Sequence, residues 1–346
     1  MKIFILAVGD KRRASSRLRV WDHVDWLRAQ GYEVTTDYVM PPDVQRVTVV
    51  VVWRILVRWP QWAWQFLRAD RVLIQETLLL APLLWIKHWG KLRHVVFDFS
   101  DPVDTIGSGL RNRLQRLGFA AMTRGANHVI VENGTYLAEL SCRGITTSQF
   151  YGPVDVDRYQ IAARAQPTRD RSNVRIGWTG SPGTLSLISP LFPVLDGLAD
   201  SHRIELMLIG IATVDYPFKN LAVDIRQWTE MDEFQLVPTF DLGLFVLDNL
   251  ERSKRRGAGK LFIYMAAGVP FFASNLGIAA DLMREAQVGY AANTPKDWEA
   301  VLDNALSSDL GRLEMASKGS HYAIRYMSYP VYRQKLAEIL NISAWQ

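Results

Sequence analysis

Along the chain, short runs of consecutive apolar residues alternate with longer stretches whose apolar positions recur at helical spacing. The runs are rich in Val, Ile, Leu and Phe, as expected of strands buried on both faces of a parallel sheet. They predict strands at residues 2–8, 33–38, 71–75, 94–98 and 128–131, with an amphipathic helix over 16–30 that Gly31 ends and a basic helix over 107–124. Residues 44–68 read both ways: a valine run favours a strand, but the length and the lack of turn signals before Pro60 favour a helix, which is the expectation adopted. From 151 to 173 the pattern loses its period and becomes polar, as a linker would. A second series follows, with strands at 174–178, 205–209, 222–225, 242–246 and 270–273, helices over 298–306 and the 310s, and a last amphipathic helix over 329–340. This alternation predicts an α/β protein of two Rossmann-like halves, with ligands held at the carboxyl ends of the strands. The expected division is a first domain over 1–155, a linker over 156–173, a second domain over 174–325, and a segment over 326–346 whose helix packs back on the first domain.

A length of 346 residues fits about two domains, and a composition of 49% hydrophobic and 22% charged residues is that of a globular chain, too apolar for disorder. The single cysteine, Cys142, excludes an internal disulfide framework and metal sites built on paired thiolates. The six histidines show no two-histidine metal spacing. No metal is expected, and a reduced, cytoplasmic setting fits best. The apolar run at 3–8 is too short for a signal-peptide core, and the longest uncharged apolar runs, 47–53 and 78–86, fall far below the ~20 residues that cross a bilayer.

Charge changes this picture. Residues 1–170 hold 23 Lys and Arg against 16 Asp and Glu, whereas 171–346 hold 17 against 19, so the halves carry +7 and −2. A basic half attracts nucleic acid, phosphorylated ligands or anionic lipid. Six of the twelve tryptophans (Trp53, Trp59, Trp62, Trp64, Trp85 and Trp89) lie between 53 and 89, interleaved with Arg54, Arg58, Arg68, Arg71, Lys87, Lys91 and Arg93. Indole rings among cations suit the membrane–water interface. Segment 53–93 is therefore expected to make peripheral contact with an anionic membrane, with the alternative that its rings fill a domain core. No nucleic-acid motif frames them, so no nucleic-acid partner is expected.

The richest chemistry lies in SKRRGAGKLFIYMAAGVPFFAS, residues 253–274. A basic loop with Gly257 and Gly259 leads into a helix, which Gly268-Val269-Pro270 ends before an apolar strand. The glycines let backbone approach a ligand, Arg256 and Lys260 supply cations, and the helix N-terminus adds positive dipole, so a phosphate is the natural guest. No Walker-type phosphate loop is present.

KLFIYMAAGVPFFAS, from Lys260, resembles the signature of retaining GT-B glycosyltransferases, especially glycosyltransferase family 4. RIGWTGSPGT at 175–184 is similar to the strand and glycine loop that opens the family's donor domain. VFDFSDPVD, ANHVIVENGTYLAEL, GPVDVDRY and ASSRLRVWDHVDWLRAQGYEV resemble, in order, its first-domain strands, crossover and first loop and helix. The resemblance implies a GT-B fold: two Rossmann-like domains facing each other across a cleft, the C-terminal helix returning to the first. It implies a metal-independent hexosyltransferase that moves a sugar from a nucleotide-diphosphate sugar, with no other cofactor. The acceptor would be a saccharide or a lipid-linked saccharide used in cell-surface polysaccharide or glycolipid assembly, on the cytoplasmic membrane face.

By position, the resemblance implies that Arg256 and Lys260 neutralise the diphosphate, that Asp248 faces the sugar, and that Gly177, Thr179, Gly180, Ser181, Trp228, Tyr264 and Gly277 bind the donor. Ser16, Arg17, Asp98, Asp101 and Asn133 would lie on the acceptor side. Two positions depart from the family. The acid or glutamine that precedes its Tyr-Met-Ala is Ile263 here, and the first Glu of its Glu-x7-Glu pair falls at Arg255. These departures favour the alternative of a non-catalytic subunit that scaffolds an active partner; a nucleotide-sugar epimerase shares the double Rossmann plan. Asp155 and Asp157 form an Asp-x-Asp pair, but in the expected linker rather than at a strand end, so they are not read as metal ligands.

Overall fold

The computed structural model describes residues 1–41, 44, 48–84, 94–103, 109–166 and 173–343. The chain forms two compact units: Met1–Pro153 with Arg255–Gly257 and Pro330–Gln346, and Val154–Lys254 with Ala258–Tyr329.

The first unit is built on six parallel strands: β1 (Lys2–Gly9), β2 (Glu33–Met40), β3 (Arg71–Gln75), β4 (His94–Phe99), β5 (His128–Val131) and β6 (Thr147–Gln149). Their order is β2-β1-β3-β4-β5-β6, with Ile3 opposite both Val34 and Arg71. Side chains alternate across the sheet, so its apolar runs feed two cores. Phe4, Leu6, Val72, Ile74, Val95, Phe97 and Val129 meet Trp62 and Phe66 of helix Val49–Arg68 and Phe119 and Met122 of helix Leu110–Gly125. Ile3, Ile5, Leu73, Val96 and Ile130 meet Val20, Val24 and Leu27, and on the same face Tyr332, Leu336 and Leu340 of helix Tyr329–Leu340.

The ambiguous stretch at 44–68 is helical over Val49–Arg68 and runs through Pro60. The helix expected over 16–30 is instead three pieces: Ala14–Ser16, a π-helical turn at Arg17–Trp21, and Asp22–Ala29. The widened turn turns Arg17 and Arg19 inward, and both are buried. β6 escapes the sequence pattern because it has three residues, all half-buried. Of the basic helix expected over 107–124, residues 107 and 108 lie outside the described residues.

The second unit has strands β7 (Val174–Thr179), β8 (Ile204–Ile209), β9 (Ala222–Arg226), β10 (Leu242–Phe245), β11 (Phe271–Ser274) and β12 (Tyr290–Ala292). The order β12-β11-β10-β7-β8-β9 is all parallel and matches the doubly wound dinucleotide-binding plan. Within the stretch expected as a linker, Val156–Ala165 is a helix capped by Asp155, whose carboxylate accepts from Arg158 N at 3.1 Å. Val156 and Tyr159, three apart, are buried, too few apolar positions to reveal a period among polar neighbours. The rest of that stretch, 167–172, lies outside the described residues.

Candidate functional site

In a doubly wound sheet the crossovers leave on opposite sides where the strand order reverses, and the loops there part to leave a crevice. In the second unit this point falls between β7 and β10. The loop after β7 is Gly180-Ser181, and the loop after β10 carries Asp248. The backbone N–H of Thr179 donates to Tyr264 Oη at 3.3 Å, and Tyr264 Oη donates to the Leu244 carbonyl at 3.3 Å. Tyr264 thus ties the two strand ends together from beneath. It is fully buried, and burial raises its phenol pKa far above the ordinary value, so it acts as a neutral strut.

The glycines at this point do different work. A Cβ on Gly177 would lie 2.1 Å from the Phe240 ring, so Gly177 makes room for core packing. A Cβ on Gly180 would lie 2.3 Å from the Trp178 ring and 2.9 Å from Lys260 Cε, which places the Lys260 stem against the loop. The Lys260 ammonium sits 5.5 Å from the centroid of the Trp178 ring. Gly210, at φ +104°, lets the Gly180 carbonyl press so close that a Cβ would meet it at 1.9 Å. Gly180, Thr179, Trp178 and Lys260 are therefore brought together, with Lys260 in the first turn of helix Gly259–Ala266, whose cap residue Ala258 has no capping side chain.

The other expected donor residues are placed as follows. Ser181 precedes helix Pro182–Ile188. Asp248 is exposed, and its carboxylate accepts from Leu250 N at 3.3 Å. Gly277, at φ +53°, opens helix Gly277–Ala286 where a Cβ would meet the Lys254 carbonyl at 2.5 Å. Trp228 is half-buried and donates from Nε1 to Glu233 Oε2 at 2.6 Å, while Tyr159 donates to Glu233 Oε1 at 3.0 Å. Glu233 is a buried carboxylate that the sequence pattern does not mark, because it lies within the helix Glu230–Leu236 among other acids.

Arg256 falls in the Arg255–Gly257 segment that belongs with the first unit. It is half-buried, and among the described residues it makes no hydrogen bond or ion pair. Its neighbour Arg255 is held by Glu139 through two hydrogen bonds of 2.5 and 3.0 Å.

In the first unit the strand order reverses between β1 and β3. Ser16, fully buried, accepts from Gly9 N at 3.1 Å and donates to Gln75 Oε1 at 3.0 Å. Arg17 is buried beside it in the π-helical turn. Asp98, expected on the acceptor side, points into the interior. Arg19 donates to it from Nε at 2.9 Å and from Nη2 at 2.5 Å, and also reaches Glu132 and the Gly152 carbonyl. Asn133 caps helix Gly134–Cys142, accepting from Thr135 N at 2.9 Å. Asp101 is exposed and accepts from Gly257 N at 3.2 Å.

A further carboxylate lies at this point. Glu76, directly after β3, has φ +53° and accepts from Ser15 Oγ at 3.1 Å and from Ser100 N and Oγ at 3.2 and 2.5 Å. Withdrawal from water, reinforced by the charge of Asp101, raises its pKa above that of an ordinary glutamate. Gln75 beside it keeps a buried amide nitrogen without a partner among the described residues. No group of three or more His, Cys, Asp or Glu among the described residues is arranged to hold a metal ion.

No protein-family model and no curated protein matches the chain. Solved structures do. A sucrose-phosphate synthase from Thermosynechococcus elongatus matches with a TM-score of 0.72 at 11% identity, over 99% of this chain and 98% of that one. HepE of Anabaena in complex with UDP-glucose matches at 0.69 and 14%, over 99% of each chain. WaaG, a glycosyltransferase of lipopolysaccharide biosynthesis, matches at 0.65 and 16%, over 98% and 99%. At these identities the likeness is one of fold: the chain has the GT-B architecture of two Rossmann-like domains.

Proposed function

We propose that the chain is a retaining, metal-independent glycosyltransferase akin to family 4, which transfers a hexose from a nucleotide-diphosphate sugar to a saccharide or lipid-linked acceptor in cell-surface polysaccharide or glycolipid assembly. The observation that carries the reading is the cluster at the β7–β10 reversal, where Lys260, an uncapped helix start and the Thr179–Ser181 backbone converge. That HepE is solved with UDP-glucose on the same fold supports a nucleotide-sugar donor.

In the reaction, the bond between the anomeric carbon and the diphosphate oxygen breaks and the acceptor oxygen bonds to that carbon. The acceptor proton passes to the departing phosphate. Negative charge grows on the diphosphate, and fixed cations and dipoles aimed at it lower the barrier. Lys260 and Arg256 are assigned this role, with Thr179, Gly180 and Ser181 lining the phosphates. Asp248 is assigned to the sugar, Trp228 to the base, and Tyr264 and Gly277 to holding the loops. Ser16, Arg17 and Asp101 are assigned to the acceptor side, with Asp98 and Asn133 supporting them from within. Segment 53–93 is assigned to an anionic membrane, as peripheral contact that suits a lipid-linked acceptor. No helix among the described residues is long and apolar enough to cross a membrane. Residues 85–93 of the segment lie outside the described residues.

Thermal unfolding in the presence of UDP, GDP, dTDP, CMP and their sugar conjugates tests the donor. A ligand at 100 times its dissociation constant stabilises by about 2.7 kcal/mol, so one nucleotide family is expected to raise the melting temperature. Lys260→Ala should remove that shift and lower turnover by orders of magnitude while the protein stays folded. Near-normal activity in that variant would overturn the assignment. The scaffold reading is favoured by Ile263, buried where the family has an acid or glutamine, and by Arg255, which is committed to Glu139. A folded protein that responds to none of these nucleotides supports it.

A further inference from the structure

Helix Val49–Arg68 gathers its polar residues, Arg54, Arg58, Gln61, Gln65 and Arg68, in one stripe along a flank. Val51, Trp62 and Phe66 face the sheet, yet the opposite side carries Val49, Val50, Trp53, Leu56, Val57 and Trp64, with Val49 85% and Trp53 68% exposed. An exposed apolar patch of this kind marks an interaction surface. Of its three arginines, Arg68 is exposed and lies over the Trp64 ring. Arg54 and Arg58 turn to Asp37, at 3.1 and 3.6 Å, and Arg54 stacks on Tyr38. Asp37 thus engages two of the segment's cations and neutralises one of their charges.

Further positive charge lies on another element of the first unit. Helix Leu110–Gly125 packs on the same face of the first sheet and shares one core with Val49–Arg68. Its outward ridge is Leu110, Leu114 and Leu117, spaced four and three apart on one side and 73%, 60% and 59% exposed. Exposed Arg113 and Arg116 flank the ridge on one side and Arg111 on the other. Neither helix contains an aspartate or glutamate.

We propose that these two helices form one bilayer-docking face, in which Leu110, Leu114 and Leu117 enter an anionic leaflet beside Trp53 and Leu56 while Arg111, Arg113 and Arg116 meet the lipid phosphates. The proposal rests on the peripheral-membrane reading above and adds to it a helix outside segment 53–93. Charge complementarity selects the partner. A second copy of the chain on this face would oppose cations with cations, since a two-fold interface sets a patch against itself. Anionic headgroups over an apolar interior match both the leucines and the arginines.

The test is flotation of the full chain with vesicles of phosphatidylcholine alone and with one quarter phosphatidylglycerol, at low and high salt. The wild type should float with the anionic vesicles at low salt. L114E/L117E should lower the bound fraction at least tenfold, and R113E/R116E should remove the salt-sensitive part. L310E, at an exposed leucine of the second unit, should float as the wild type does. Because the replaced side chains are exposed, circular dichroism should report an unchanged fold. Wild-type protein left at the bottom, or full flotation of L114E/L117E, overturns the proposal. So does a wild-type dimer in light scattering that L114E/L117E dissolves without any lipid binding. The UDP-glucose melting shift is read on the same proteins, so loss of the donor reading and loss of this face are seen separately.

Discussion

Glu76 shows how one side chain can be held against its preference. It occupies the left-handed region of backbone space, uncommon for a residue with a Cβ, and its carboxylate sits near the charge of Asp101. An acid whose pKa is raised on folding favours its protonated form in the native state. Its contribution is therefore most favourable at low pH and is lost as pH rises from the unfolded value through the native one. Glu76→Gln, which keeps an oxygen for Ser100 and cannot ionise, should flatten this part of the melting temperature's fall with pH. The gain over wild type should be largest at neutral pH and vanish in acid. A variant whose melting temperature tracks the wild type across that range would show that Glu76 is not the group responsible. Asp98 is the complementary case. Read alone, an aspartate at a strand end looks like a site residue. Its partner Arg19 lies 79 positions earlier, on a turn whose π-helical widening no local pattern announces.

Among elements, β7 and the loop after it each carry a glycine in a crowded place, Gly177 against the core and Gly180 against Trp178 and Lys260. Gly177→Ala drives a methyl into the Phe240 ring and should cost about 1–3 kcal/mol, as overpacking of a core does, while the nucleotide melting shift persists. Gly180→Ala drives a methyl into the Trp178 ring and against the Lys260 stem, and should abolish that shift as well as destabilise. Calorimetry with and without nucleotide checks both, and equal losses of binding would mean that the two positions are not distinct. The core strands of both sheets were legible because each is a run of apolar residues long enough to be buried on both faces. β6 and β12 were not, since three residues make no period. The helix at Val156–Ala165 hid behind its polar surface. The positions of Lys260, Thr179 and Gly180 followed from their motif. Gly210 and Glu233 did not, because their roles are contacts with Gly180 and with Trp228 and Tyr159, which exist only once the chain is folded.

At the scale of the molecule, the first unit is discontinuous in sequence. Tyr332, Leu336 and Leu340 pack against Ile3, Ile5, Val96 and Ile130, and Tyr332 Oη donates to the Arg19 carbonyl at 3.0 Å. Arg71 and His94 reach the carbonyls of Leu340 and Ile339. Removing residues 330–346 should strip amide-exchange protection from β1, β3 and β4 while β7, β8 and β10 keep theirs, measured by hydrogen exchange and mass spectrometry. Undiminished protection in the first sheet would contradict this. The same feature bears on how the protein is made. At about 5–20 residues per second, the ribosome needs roughly 10–40 s to proceed from the end of the first stretch to the helix that completes it. For that interval the nascent chain carries part of one sheet face bare, and a chaperone would find its binding surface there early in synthesis and lose it as the last helix emerges.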